Sequence, residues 1–209
     1  MKKKDAIEQL HILAKQYQRN LSNRNILFIF NFDDTYQYFE TAFFNRNFLH
    51  LTGIKLIDNN GAINFYHQCL NKRIPIDSFD FKQDGTTEQK FAVLPSLFDF
   101  RSGFKMLGEY NDSKKLLYAD KLCGGVHGCI GFVQDKCSHF FVPDTSLQED
   151  IRNLVLKPYK IEAILNKSIE EKLYSTIVYC NKSLNFIDLS YIATFKRKID
   201  WDIIIAKYE

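Results

Sequence analysis

Several features that would assign this chain quickly are missing from it. No apolar run approaches the ~18 residues that a bilayer-spanning helix needs, so no membrane partner is expected. The start, Met1-Lys2-Lys3-Lys4-Asp5, is basic but has no apolar stretch behind it, unlike a secretory signal. Five cysteines, an odd number without framework spacing, exclude a disulfide scaffold and suit a reducing cytoplasm. Only four prolines and nine glycines are present, with no repeat or low-complexity segment, which argues against a flexible linker between independent domains. Charge of either sign is not in large excess. A net charge of +3 permits a nucleic-acid partner without demanding one. Metalloprotease, serine-hydrolase and kinase motifs are absent, and Gly124-Gly125-Val126-His127-Gly128 lacks the Lys-Ser/Thr of a phosphate loop.

What is present is apolar bulk. Hydrophobic residues make up 45% of 209, with 19 Phe and 11 Tyr, enough to bury a sizeable core in one domain. Residues 5–21 have helical spacing, with Ile7, Leu10, Ile12 or Leu13, Ala14, Tyr17 and Leu21 on one stripe. His11 falls on its flank. Asn25–Phe32 reads as a central strand, Asp33-Asp34-Thr35 as a turn, and Tyr36–Phe43 as the returning strand of a hairpin. Asn59-Asn60-Gly61 suggests a turn before a helix over 62–72, with Phe65, Cys69 and Leu70 inward and Tyr66 and His67 toward solvent. A loop over 74–85 leads to a helix with Thr86 as its cap, Phe91, Val93, Leu94, Leu97 and Phe98 inward, and a kink at Pro95. Lys90 falls in the first turn of that helix, where a cation opposes the helix dipole.

From Lys105 the period changes to two. A hairpin is expected over 104–110 and 116–120, then a turn at Gly124-Gly125 and a strand pair over 129–134 and 138–142. Pro143-Asp144-Thr145-Ser146 would end that pair and cap a short helix over 147–154. Strands over 161–166 and 174–180 follow, and residues 186–209 are apolar enough that they should dock on the domain. Helices early and strands late predict an α+β domain.

Two constellations invite chemistry. Cys123, His127, Cys129, Cys137 and His139 lie close in sequence, but no Cys-x2-Cys pair occurs and the spacing straddles strands, so no metal and no cofactor are predicted. Partly buried free thiols are the simpler account. The second constellation is Asn47-Phe48-Leu49-His50-Leu51-Thr52-Gly53-Ile54, a junction with a sharp turn at Gly53. His50 there either satisfies a buried hydrogen bond or moves a proton near neutral pH beside Thr52 and Lys55.

That stretch resembles the signature of phage-associated nuclease domains related to barnase, EndoU, the tRNase colicins and RelE, specifically their fourth phage group. Gly131-Phe132-Val133, Phe141 to Leu147 and Asp150-Ile151-Arg152 extend the resemblance, and Ile161–Lys167 leading to Tyr174 continues it. The Cys-rich 123–137 segment and the 183–209 tail depart from it. The resemblance implies N-terminal helices packed on a curved antiparallel sheet, divided as an N-terminal helix 1–24, a nuclease domain 25–182 and a C-terminal docking segment 183–209. It implies a metal-independent ribonuclease, a toxin or effector carried by a phage or mobile element. Such an enzyme cleaves cellular RNA, tRNA among the candidates, by 2′-hydroxyl transesterification in the cytoplasm. The catalytic candidates are His50, Thr52, Lys90, Thr145 and Lys167, and the substrate-binding candidates are Lys55, Arg101, Tyr174 and Tyr179. An immunity or host protein is a second candidate partner. The alternative is a non-catalytic phage-derived protein whose cleft binds a nucleotide, RNA or host protein.

Overall fold

A computed structural model describes residues 1–57, 61–114 and 118–208, with Tyr208 described for its backbone alone. The chain opens with α1 (Lys3–Asn20), whose inward stripe is Ala6, Leu10, Leu13, Ala14 and Tyr17. Leu13 takes the core position, and Ile12 is left 63% exposed. The hairpin β1 (Arg24–Phe32) and β2 (Thr35–Phe43) turns at Asp33 and Asp34, both at positive φ (45° and 63°). Two consecutive left-handed residues match the right-handed twist of the flanking strands. The 47–54 junction is itself a helical turn, α2 (Asn47–Thr52), closed by Gly53 at φ 67°.

Next come β3 (Lys55–Leu56), α3 (Gly61–Leu70) and β4 (Phe79–Asp80), with β3 and β4 forming a two-stranded ribbon. Asn59 and Asn60 of the expected turn lie outside the described residues. Phe65 and Cys69 face inward as expected, but so does Tyr66, which is 1% exposed. Its ring packs edge-on against Tyr17 and Phe48, so the aromatic face of α3 is wider than its aliphatic stripe implied.

Helix α4 (Thr86–Leu97) begins after Gly85 at φ 77°. Thr86 is not its cap. Asp84 accepts hydrogen bonds from the Thr86 amide (3.0 Å) and hydroxyl (2.7 Å) instead. Pro95 lies in the last turn, so the helix continues through it and stops at Leu97 rather than being interrupted. Lys90 is the fifth residue, one position deeper than expected and just past the first turn.

After α5 (Phe100–Gly103) come β5 (Met106–Glu109), β6 (Lys121–Gly124), β7 (Cys129–Gln134) and β8 (Phe141–Leu147). The partner of β5 is 121–124 and not 116–120. Of that expected strand, Leu116 and Leu117 lie outside the described residues, and Tyr118 is 80% exposed. Pro143–Ser146 do not end the sheet but form the middle of β8, and the expected helix over 147–154 is only a 3₁₀ turn at Ile151–Asn153. Proline is tolerated there because the β7–β8 register slips between Gly131 and Phe132, opposite Pro143.

Last come β9 (Tyr159–Ser168), β10 (Thr176–Cys180), α6 (Phe186–Ser190), α7 (Ala193–Lys196) and α8 (Trp201–Tyr208). The large sheet runs β1-β2-β8-β7-β6-β5-β9-β10. Because β9 also pairs with β1 along Arg24↔Ser168 to Phe30↔Ile161, the first seven strands in that order close into a barrel. The protein is thus α+β as expected, but the sheet is a closed barrel rather than a curved open sheet. One junction, Thr41↔Phe141 between β2 and β8, is parallel rather than antiparallel. Strand β1 is buried on both faces. Ile26 and Phe28 join the main core with α1–α4, whereas Leu27 and Ile29 join a second core with Phe186, Leu189, Phe195 and Ile204. That is why β1 reads as an unbroken apolar run, and why residues 186–208 stay on the barrel.

Candidate active site

Helix α2 is only six residues long and ends against other elements, so its last carbonyls need donors from elsewhere. Four carbonyls between Leu49 and Gly53 receive a side chain. Thr52 Oγ1 donates to the Leu49 carbonyl (2.8 Å), and Ser146 Oγ on β8 donates to the Leu51 carbonyl (2.8 Å). Thr87 Oγ1 on α4 donates to the Gly53 carbonyl (3.0 Å), and Lys90 Nζ donates to the His50 carbonyl (3.2 Å). Asn47 fastens the other end of α2, accepting from the Phe44 amide (3.0 Å) and donating to the Pro143 carbonyl (3.1 Å). The junction is therefore clamped between β8 and α4.

Gly53 is required at two levels. Its φ of 67° lies in the left-handed region, and a Cβ there would come within 2.7 Å of Lys90 Cδ. The lysine stem runs over the glycine, which is how a residue on α4 reaches the end of α2.

Lys90 is 6% exposed, and its ammonium donates to Thr145 Oγ1 (2.9 Å) as well as to the His50 carbonyl. Both acceptors are neutral. Among the described residues no carboxylate lies within ion-pair distance of it. Burial lowers its pKa from 10.5 to about 8; Lys82 adds to the lowering, while Asp144 and Asp84 partly oppose it. The amine sits at the C-terminal end of α2, where the helix dipole favours a cation. An ammonium has three protons. Two are committed, and one remains.

Thr145 accepts from Lys90, so its own O–H remains a donor. Thr52 has no such freedom. It is fully buried, donating to Leu49 and accepting from the Ile54 amide (3.4 Å). The His50 side chain is exposed and lines an open depression of about 310 Å³ with Arg46, Asn47, Gln134, Asp135, Lys136 and Asp144. Arg46 is paired with Asp135 (3.2 Å) and stacked on Phe44 (4.5 Å). Lys55 is exposed in a neighbouring depression with Lys82, Asp80 and Asp84.

The remaining candidates sit elsewhere. Lys167 on β9 donates to the Lys172 carbonyl (2.8 Å) and lies over the Tyr174 ring (4.8 Å). Tyr174 is fully buried in the second core, and its hydroxyl donates to Glu40 (2.8 Å), which also holds Lys198 (2.6 Å). Tyr179 is half-buried beneath Lys105 (4.6 Å), whose amine donates to the Arg101 carbonyl (2.6 Å). The structure thus joins His50, Lys90 and Thr145, and leaves Lys167, Tyr174, Tyr179 and Arg101 outside that cluster.

Ser146, Thr87 and Asn47 were missed as supports. Ser146 was legible in principle, because alternation along β8 sends Thr145 and Ser146 to opposite faces, but only if 143–146 is read as strand. Among the described residues no three His, Cys, Asp or Glu side chains are grouped to hold a metal ion. Cys123 faces the main core and Cys129 the small cluster across the sheet, and burial pushes the Cys129 thiol up to about 12. Cys137 is exposed.

Fold and clamp together define an α+β barrel protein with a buried cation beside a polar surface depression. A family model described as phage-Barnase-EndoU-ColicinE5/D-RelE like nuclease 4 matches residues 9–183. The chain belongs to that family. The match takes in the C-terminal two thirds of α1, α2, α4, all ten strands and every residue of the clamp, and ends before α6. No curated protein and no solved structure matches the chain. Among the described residues no helix is long and apolar enough to cross a membrane.

Proposed function

We propose that the chain is a ribonuclease that cleaves RNA by attack of a 2′-hydroxyl on the adjacent phosphorus, with Lys90, Thr145 and His50 as its working groups. The single observation that carries this is the Lys90 ammonium: buried, without a counter-ion among the described residues, and with one proton uncommitted. A buried cation is costly unless it is paired, and a phosphate is the partner that nuclease chemistry supplies.

In this scheme the remaining Lys90 proton and the Thr145 hydroxyl donate to the non-bridging oxygens of the scissile phosphate. Negative charge grows on those oxygens as phosphorus becomes five-coordinate, so both hydrogen bonds strengthen in the transition state. The His50 imidazole, at the mouth of the same clamp, takes the 2′-hydroxyl proton. Thr52 keeps the α2 end in shape, and Lys55, Lys82 and Lys136 supply positive charge around the opening. The 2′-hydroxyl is an internal nucleophile, so these groups suffice without a metal-activated water. As the O2′–P bond forms the P–O5′ bond breaks, and the departing 5′-oxygen takes a proton from solvent, so cleavage leaves a 2′,3′-cyclic phosphate and a free 5′-hydroxyl.

The test is incubation of purified protein with total cellular RNA in EDTA, followed by end-group analysis. Discrete fragments with cyclic phosphate ends are expected, and a matched DNA should stay intact. RNA that is bound but never cut would replace this reading with the binding-only one. The toxin or effector role belongs to the same proposal and predicts growth arrest on expression that Lys90→Met relieves.

A further inference from the structure

A second cationic site stands apart from the clamp. The end of α1, the start of β1, the α4–α5 junction and the facing edges of β9 and β10 surround a polar depression of about 650 Å³. Arg19, Arg24 and Arg101 line it together, with Asn20, Asn166 and Thr176 between them. None of the three guanidinium groups forms an ion pair with a described residue. The carboxylate in the lining is Asp99, and its oxygens are engaged by the Arg101 amide (3.1 Å) and the Ser102 hydroxyl (3.1 Å). Arg101 also anchors Lys105, which lies 4.6 Å above the Tyr179 ring.

Three unpaired guanidinium groups around one concave surface repel each other at every pH the protein meets, because arginine does not lose its proton. A folded chain usually scatters such charges or pairs them. Here three separate elements, α1, β1 and α5, bring them to one place. The planar forks of arginine match phosphate oxygens, while the Asn166 amide and Thr176 hydroxyl in the lining suit ribose and base edges. An acidic protein would also meet the charge, but a nuclease has a nucleic acid as its polyanion.

We infer that this depression binds the phosphate backbone of single-stranded RNA, holding a stretch of the substrate away from the bond that is cut. Ligand identity rests on the nuclease reading above; the anion site itself rests on the arginines alone. The depression lies beyond the C-terminal end of α4, whereas Lys90 lies in its N-terminal half. At about 1.5 Å per residue, the helical positions from Lys90 to Leu97 alone put roughly 10 Å between them along the helix axis. That is longer than the step between neighbouring phosphates, so one RNA would span several nucleotides between the two sites.

The experiment measures binding without cleavage. In a Lys90→Met background, affinity for a fluorescent 2′-O-methyl single strand is followed over a salt series, with and without Arg19→Gln, Arg24→Gln and Arg101→Gln. Each lost phosphate contact removes about 0.7 from the slope of log affinity against log salt on a single strand, so the triple change should lower the slope by about 2. Affinity at low salt should fall at least about tenfold with it. An unchanged slope and affinity in a triple variant with an unchanged melting temperature would overturn the inference. So would poly-aspartate that binds the arginine-intact protein as tightly as RNA and is lost in the triple variant. Because every arm lacks Lys90, a failed cleavage reaction counts against the active-site reading and leaves this comparison untouched.

Discussion

Replacing Lys90 by methionine keeps the length of the buried stem and removes the charge, so it separates what the amine costs from what it does. With an ordinary pKa of 10.5 in the unfolded chain and about 8 in the folded one, the native state disfavours the charged form. The difference corresponds to roughly 3 kcal/mol. The sign follows from proton counts. Below about pH 8 both states are charged, and folding carries the whole desolvation cost. Between about pH 8 and 10.5 the native state releases its proton first, so stability rises with pH; above that the cost is gone. Methionine has no such dependence, although it leaves the His50 carbonyl and Thr145 hydroxyl without their donor, a pH-independent loss of about 1–3 kcal/mol. Denaturant melts of both proteins at matched pH values cancel every other titration. The wild type should gain roughly 3 kcal/mol on the variant between pH 7 and 10.5. Cleavage by the variant should fall by about 100- to 1,000-fold, the usual loss for one transition-state donor. Parallel stability curves would show that the amine is not desolvated, and undiminished cleavage would remove it from the reaction.

Other changes act on the same frame. Gly53→Ala forces a Cβ into the left-handed region and against the Lys90 stem; it should cost about 1–2 kcal/mol and lower cleavage as well, read as melting temperature and rate on one protein. His50→Gln removes the proton carrier at an exposed position, so cleavage should fall about 100- to 10,000-fold with little change in melting temperature; a stable variant that cleaves normally refutes the catalytic role. Glu40→Ala deprives Tyr174 and Lys198 of their shared acceptor, and should cost about 1–2 kcal/mol. Hydrogen exchange across 186–208 should then accelerate, while a uniform change over the whole chain would show that Glu40 does not hold this segment in particular.

The sequence carried the parts of the fold whose periodicity is local. α1, the β1–β2 hairpin, β7 and the inward face of α4 follow from spacing and turn chemistry, and the double aspartate turn needed no tertiary knowledge. Reading failed where a tertiary partner overrides a local signal. Pro143 looked like a terminator because proline cannot donate in a ladder, but a register slip opposite it removes that demand. Tyr66 looked like a flank residue, but three helices meet over its ring. Closure of the sheet was invisible, since the pairing of β1 with β9 joins segments more than a hundred residues apart. In the clamp, His50, Lys90 and Thr145 were each legible as residues of interest. That Lys90 would meet the backbone carbonyl of His50 and not its ring was not, because a helix end's need for donors is set by what packs against it.

The clamp also explains why a lysine, and not a neutral donor, closes the end of α2. Three of the four exposed carbonyls there are satisfied by hydroxyls from Thr52, Thr87 and Ser146, at no charge cost. The fourth, at His50, is satisfied by an ammonium that burial holds near the edge of losing its proton. A glutamine could meet the same carbonyl without desolvating a charge, so structural need alone does not account for the choice. The difference lies in what is left over. After meeting the His50 carbonyl and Thr145, the ammonium keeps one proton and a full positive charge, and it leaves the threonine hydroxyl free to donate. A neutral donor would offer a phosphate far less. In the proposed reaction the residue that costs the junction stability would also be the one that meets the phosphate, which is the division expected where a fold is held at some expense for a reaction.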